Sequence, residues 1–320
     1  MRKTEDGRNM ADVLYEQMER LNTELDDFMK AAISEYCGFW KNRNDSCCKI
    51  RNTFNGTMTS EWKHKEAQAR YILFLSYAQI ADYMNVFARM FSEEKPEKLK
   101  VVSFYPGPLT DYHALQRVLP LTAIDFTAVD VITWEHALAG APGNGRIDRQ
   151  EGEIHSWFMD NPEMDADLYI LHRNMMDITL DSLWSAMARS SCSRKSFTFL
   201  VLDRMQSESK TINLPYRLRM ENSIKGIAER IKEENGNPYL VTERSFTFGQ
   251  DNTSVRTYIK NTSDGLKFNP SFDYMNLFGN NDRTDKCKMH IKACDNALTY
   301  KPCMNIGKTY AHAYDFSRQI

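Results

Sequence analysis

A chain of 320 residues, 42% hydrophobic and 26% charged, can bury a sizeable core and suits one large domain with extensions or two modest ones. Its formal net charge of -2 implies no nucleic-acid or membrane partner by itself, and no apolar run approaches the roughly 20 residues that span a bilayer. The charged start MRKTEDGRNM lacks the apolar centre of a signal peptide, so the expectation is an intracellular protein, cytoplasmic or nuclear, with its seven cysteines reduced. In that setting the Asn55-Gly56-Thr57 sequon is a chance match.

In chain order, Met10, Val13, Leu14, Met18, Leu21, Leu25, Phe28, Met29 and Ile33 recur at three- and four-residue steps and predict an amphipathic helix. A second long helix is expected from about Ser60 to Phe91, with Tyr71, Phe74, Leu75 and Ala78 toward one face. The polar connection GFWKNRNDSCCKIRNTFNGTM lies between them, and SEEKPEK ends the helical part because Pro96 disfavours helix at the residue before it. An alternating region follows: LKVVSF, AIDFTAVDV, DADLYILHR and SFTFLVLDR read as strands, with helix expected in DYHALQRVL, LDSLWSAMARS and LRMENSIKGIAERIKEE. YLVTERSFTF and SVRTYIKN, separated by the turn-forming GQDNT, read as a closing hairpin. The predicted organisation is a helical N-terminal extension over 1–97, an α/β domain over 98–262 and an irregular C-terminal extension over 263–320 packing on the core.

From about Lys98 to Lys260 this order resembles the class I S-adenosylmethionine-dependent methyltransferase fold. That resemblance implies a Rossmann-like α/β sheet, mainly parallel with a C-terminal antiparallel hairpin. VVSFYPGPLTD is similar to the family's first motif, a strand running into a glycine-rich turn, and Asp130 sits where the family places the acid that ends the second strand. The resemblance implies cofactor-binding positions at Ser103, Tyr105, Gly107, Asp111 and Asp130. A glycine turn lets backbone approach a ligand, and an acid at the strand end can accept hydrogen bonds from ribose hydroxyls. This sequence departs from the family pattern at three places: Ser103 replaces an acid, and Tyr105 and Leu109 replace glycines. Pro106 and Pro108 further stiffen the turn and lack backbone donors. A tyrosine at 105 must turn away or fill the amino-acid end of the cofactor site. The family's amino-methylating signature, a polar residue followed by two prolines and an aromatic, is absent.

His172 and Asn174 follow the strand DADLYILHR, at the end of the sheet where α/β ligands bind, and His172 is a candidate base or a satisfied buried histidine. Cys287, His290, Cys294 and Cys303 form C-x2-H-x3-C-x8-C, which could ligate zinc, though reduced thiols are the expectation. Between residues 41 and 70, Lys41, Arg43, Lys49, Arg51, Lys63, Lys65 and Arg70 face only Asp45, Glu61 and Glu66. Phe39, Trp40, Phe54 and Trp62 interleave with them, a pattern compatible with RNA, whose phosphates meet the cations and whose bases stack on the rings. Trp40, Arg43, Lys49, Arg51, Trp62, Lys63 and Lys65 are the expected RNA or partner contacts. The preceding residues 1–36, with nine acidic against five basic side chains, suit a protein partner. Two functions follow: a catalytically degenerate methyltransferase-like protein that binds no cofactor and serves an intracellular protein or ribonucleoprotein complex, or an active S-adenosylmethionine-dependent methyltransferase with a divergent turn.

Overall fold

A computed structural model describes residues 68, 77–134, 145–172, 191–192, 194–204, 239–248 and 309–318. The chain divides into two compact units, Met1–Asn85 with Trp134–Gly140 and Asp251–Ile306, and Val86–Thr133 with Ala141–Gln250 and Gly307–Ile320. In the first unit the described residues include the start of α1 (Tyr77–Met90), which falls inside the helix expected from Ser60 to Phe91. The remaining elements belong to the second unit: β1 (Lys98–Phe104), α2 (Thr110–Val118), β2 (Ala123–Asp130), β3 (Arg146–Glu151), α3 (Ile154–Asp160), β4 (Glu163–Met164), β5 (Leu168–Leu171), β6 (Ser191–Cys192), β7 (Ser196–Arg204), β8 (Tyr239–Phe248) and β9 (Thr309–Arg318).

Seven strands make one sheet in the order β3-β2-β1-β5-β7-β9-β8, and β4 pairs with β6 separately. The pairs from β3 to β7 are parallel, while β9 runs antiparallel to both β7 and β8. This is the Rossmann-like, methyltransferase-like sheet that the resemblance implied, mainly parallel with an antiparallel C-terminal component. After β1 the chain adds β2 and β3 on one side, then crosses to the other side for β5. The order reverses beside β1, and in open α/β sheets ligands bind beyond the carboxyl ends of the strands at such a point.

Burial explains why these runs are central. Val101, Val102, Ser103 and Phe104 of β1 and all four residues of β5 are buried, as befits parallel strands covered on both faces. Side chains alternating toward one face form a continuous core of Val102, Phe104, Val129, Tyr169, Leu171, Phe197, Phe199, Val201, Tyr314 and Phe316, joined by Ile154 and Phe158 of α3. Directly opposed cross-strand residues stack there: Tyr169 on Phe199 at 4.9 Å and Phe197 on Phe316 at 4.6 Å between ring centroids. Among the described residues no helix is long and apolar enough to cross a membrane.

Three expectations change. The strand paired with Tyr239–Phe248 is Thr309–Arg318, so the closing pair is not a local hairpin with SVRTYIKN, which lies outside the described residues. The insertion also places 309–318 in the sheet, within the stretch expected as an irregular extension. RIDRQE, unassigned in the sequence reading, is the edge strand β3; one side of it is open to solvent, and its polar side chains keep that edge from pairing further. The helices expected over 10–33, 180–190 and 218–234 lie outside the described residues.

Because Phe316 is fully buried and stacked on Phe197, Phe316→Ala should destabilise the protein by about 3–5 kcal/mol, whereas Leu121→Ala at a 92% exposed side chain should change stability by no more than about 0.5 kcal/mol. Urea unfolding followed by near-UV circular dichroism checks both. Equal effects would show that β9 contributes no core.

Candidate functional site

The turn after β1 runs Tyr105-Pro106-Gly107-Pro108-Leu109. Tyr105, Gly107 and Leu109 all take left-handed backbone, with φ of 57°, 59° and 67°. This is the shape three alternating glycines would adopt freely, and each non-glycine residue holds it at a cost of roughly 1–2 kcal/mol. The sequence pattern had assigned glycine to these same positions in the family. Here all three positions take the left-handed path, with glycine only at 107.

Every backbone N–H that the turn possesses is used internally. Tyr105 N–H donates to Val129 O at 2.7 Å, Gly107 N–H to Asp130 Oδ2 at 3.2 Å and Leu109 N–H to Pro106 O at 3.2 Å, while the two prolines have none to offer. Asp130, at the carboxyl end of β2, also takes Ile132 N–H on Oδ1 at 3.1 Å, and its carbonyl takes Gly152 N–H at 3.0 Å. Asp130 and Gly107, expected at one site, are thus in direct contact. Asp130 serves first as the anchor of the turn.

Ser103, Asp111 and His172 form the second part of the site. They come from the end of β1, the first turn of α2 and the residue after β5, and all three are buried. Ser103 Oγ donates to Asp111 Oδ2 at 2.5 Å, and His172 Nε2 lies 3.1 Å from both oxygens. A carboxylate only accepts, so the serine proton goes to Asp111 and the Nε2–H is shared between the serine oxygen and the carboxylate. Asp111 Oδ1 takes Tyr112 N–H at 2.8 Å, which satisfies one of the open donors of α2, whose N-cap Leu109 has no capping side chain. The negative charge at a helix start is favoured there. Hydrolytic serine triads place serine and carboxylate on opposite nitrogens of the histidine, and this triangle uses one nitrogen for both. His172, a candidate base or a satisfied buried histidine from the sequence, is buried here with Nε2 within hydrogen-bond distance of Ser103 and Asp111. Asn174 lies outside the described residues.

Tyr105 is half-buried, packs against the core cluster, and donates its hydroxyl to Glu153 Oε2 at 2.9 Å. Burial first, and then Glu153, push its ionisation far above the usual tyrosine range. The hydroxyl therefore stays a donor at any physiological pH. Leu109 is only 2% exposed and its side chain belongs to the core, whereas Tyr105 is partly exposed. The sequence reading missed Glu153, an acid two residues beyond a polar edge strand with no local pattern to single it out.

Among the described residues no group of three His, Cys, Asp or Glu side chains is placed to hold a metal ion. Cys287, His290, Cys294 and Cys303 lie outside them, as do Trp40, Arg43, Lys49, Arg51, Trp62, Lys63 and Lys65.

No protein-family model matches the chain, and no curated protein sequence matches it. Solved structures similar to it include the plantazolicin methyltransferase BpumL in complex with SAH, 11% identical with a TM-score of 0.37, covering 94% of this chain and 99% of the other. The mitomycin 7-O-methyltransferase MmcR is 14% identical with a TM-score of 0.40, over 83% of this chain and 62% of the other. A Haemonchus contortus phospholethanolamine N-methyltransferase 2, in complex with phosphomonomethylethanolamine and S-adenosylhomocysteine, is 10% identical with a TM-score of 0.41, over 81% and 59%.

Removing the Asp130 carboxylate leaves two backbone donors without their acceptor. Asp130→Ala should lower stability by about 2 kcal/mol and speed hydrogen exchange at Gly107 and Ile132, with Asp130→Asn, which keeps one acceptor oxygen, costing less. Unchanged exchange at both amides would show that the carboxylate does not hold the turn.

Proposed function

We propose that this chain is a methyltransferase-like protein whose cofactor turn is closed on itself, and that it works as a binding or scaffold subunit of an intracellular protein or ribonucleoprotein complex. One observation carries the reading: no N–H from Tyr105 to Leu109 is left for a ligand. On this reading S-adenosylmethionine meets no open amide at the turn, and no catalytic step is assigned. An active methyltransferase is the second reading, favoured by the retained left-handed path at 105, 107 and 109 and by Asp130 at the end of β2. The sheet topology is common to both.

Isothermal calorimetry separates them. The wild-type chain should show no saturable heat with S-adenosylmethionine or S-adenosylhomocysteine at micromolar concentrations. Saturable micromolar binding by the wild type would overturn the closed-turn reading and favour the enzyme instead.

The partner surfaces are proposed from sequence alone: the acidic N-terminal region for a protein, and Trp40 to Arg70 for RNA or an acidic partner. With RNA as ligand, Arg43→Glu with Arg51→Glu should weaken filter binding, each lost phosphate contact reducing the salt slope by about 0.7. Trp40→Ala or Trp62→Ala should cost about 1–3 kcal/mol of affinity where the ring stacks on a base. Unchanged RNA affinity in a folded double charge reversal overturns the RNA reading.

A further inference from the structure

We infer that this chain binds one internal water molecule, held between the Gln116 amide and the Tyr112 hydroxyl at the amino ends of β2 and β3. That is the opposite end of the sheet from the turn, and the inference does not depend on the closed-turn reading. Gln116 belongs to α2 and is 2% exposed, and neither the oxygen nor the nitrogen of its amide has a hydrogen-bond partner among the described residues. Exchanging the two amide atoms changes nothing, because both are unmet. A buried amide left so forfeits the hydrogen bonds that solvent gives it in the unfolded chain, and folded proteins meet such groups with protein atoms or with water.

Gly145, just before β3, locates the place. A methyl group on it would stand 2.2 Å from the Tyr112 hydroxyl, 2.9 Å from Gln116 Nε2 and 3.1 Å from Ile124 O, so three polar atoms converge beside this backbone. Gly145 is not among the left-handed residues, so a glycine serves here for close approach and not for its backbone freedom. Two atoms that near to one point lie no more than about 5 Å apart, and a single water making hydrogen bonds of about 2.8 Å to each spans that gap. Nε2 donates to the water, the Tyr112 hydroxyl, which burial keeps protonated, donates or accepts, and Ile124 O has a second lone pair to offer. Those are the two to four polar partners, roughly, that internal waters keep. The bridge fastens the second half of α2, whose first turn carries Asp111, to the entry of β3.

The test counts long-lived internal waters by oxygen-17 magnetic relaxation dispersion on the full chain, with urea unfolding beside it, for the wild type, Gln116→Leu, Tyr112→Phe and the double variant. Each single variant should lose one long-lived water and lower the urea midpoint, and the double variant should lose that same water and fall by less than the two single shifts together, because either change breaks the one bridge. A wild type without a long-lived water overturns the inference. So does an unchanged count in variants that melt cooperatively, whether Gln116→Leu raises the midpoint, as it would for an amide buried dry, or the two shifts couple through a direct Gln116–Tyr112 hydrogen bond. Should Gln116→Leu fail to melt cooperatively, Gln116→Met, of similar length, is read in its place. Loss of cooperative melting in Gln116→Met and Tyr112→Phe alike also overturns it, since one water bridge contributes too little to hold the fold.

Discussion

The carboxyl end of the sheet hangs on Asp130. Its side chain takes the amides of Gly107 and Ile132 and its carbonyl takes that of Gly152, so one residue ties the end of β2 to the turn after β1 and to the exit from β3. Hydrogen bonds to a charged acceptor contribute about 1.5–3 kcal/mol each, more than a neutral pair. That anchoring offsets the strain of two left-handed non-glycine residues in a loop of five. It also spends the donors a glycine turn would otherwise present.

The neighbouring triangle of Ser103, Asp111 and His172 follows the same logic. A carboxylate with no exposure is costly unless its lone pairs are met, and here a hydroxyl, an imidazole N–H and a backbone N–H meet them at a helix start. The three groups satisfy one another, so the arrangement stiffens the junction of β1, α2 and β5. Tyr105, by contrast, is held by a ring contact and one exposed hydrogen bond, the least committed interaction at this end of the sheet.

Far from the turn, the sheet depends on β9. Its antiparallel course sets Phe316 against Phe197, with Tyr239 of β8 edge-on to Phe197, and Asp315 takes Arg244 Nε at 2.5 Å and Thr198 Oγ1 at 2.7 Å. The Thr198 contact joins positions 117 residues apart. Contacts of that separation carry a large loop-closure cost, and stacked aromatic burial is what outweighs it.

The sequence by itself determined the buried strands and the turn. Short apolar runs such as those around Val101–Val102 and Leu168–Leu171, set between turn residues, suit strands covered on both faces, and Gly107 between prolines suits a turn. Asp130 was legible as the acid ending its strand. Only the tertiary structure decided partners and directions. Alternation shows which face of a strand is buried but not which strand lies beside it, so the insertion of Thr309–Arg318 between β7 and β8 could not be read locally. Alanine and histidine, poor strand formers, hid that segment further. A polar edge such as β3 has one side open to water and needs no apolar pattern to announce it. Whether Tyr105 faced the core or the crevice depended on Glu153, 48 residues away, and the meeting of Ser103 with His172 on the order of β1 and β5. Those are distances across a sheet, and neighbouring residues along the chain do not encode them.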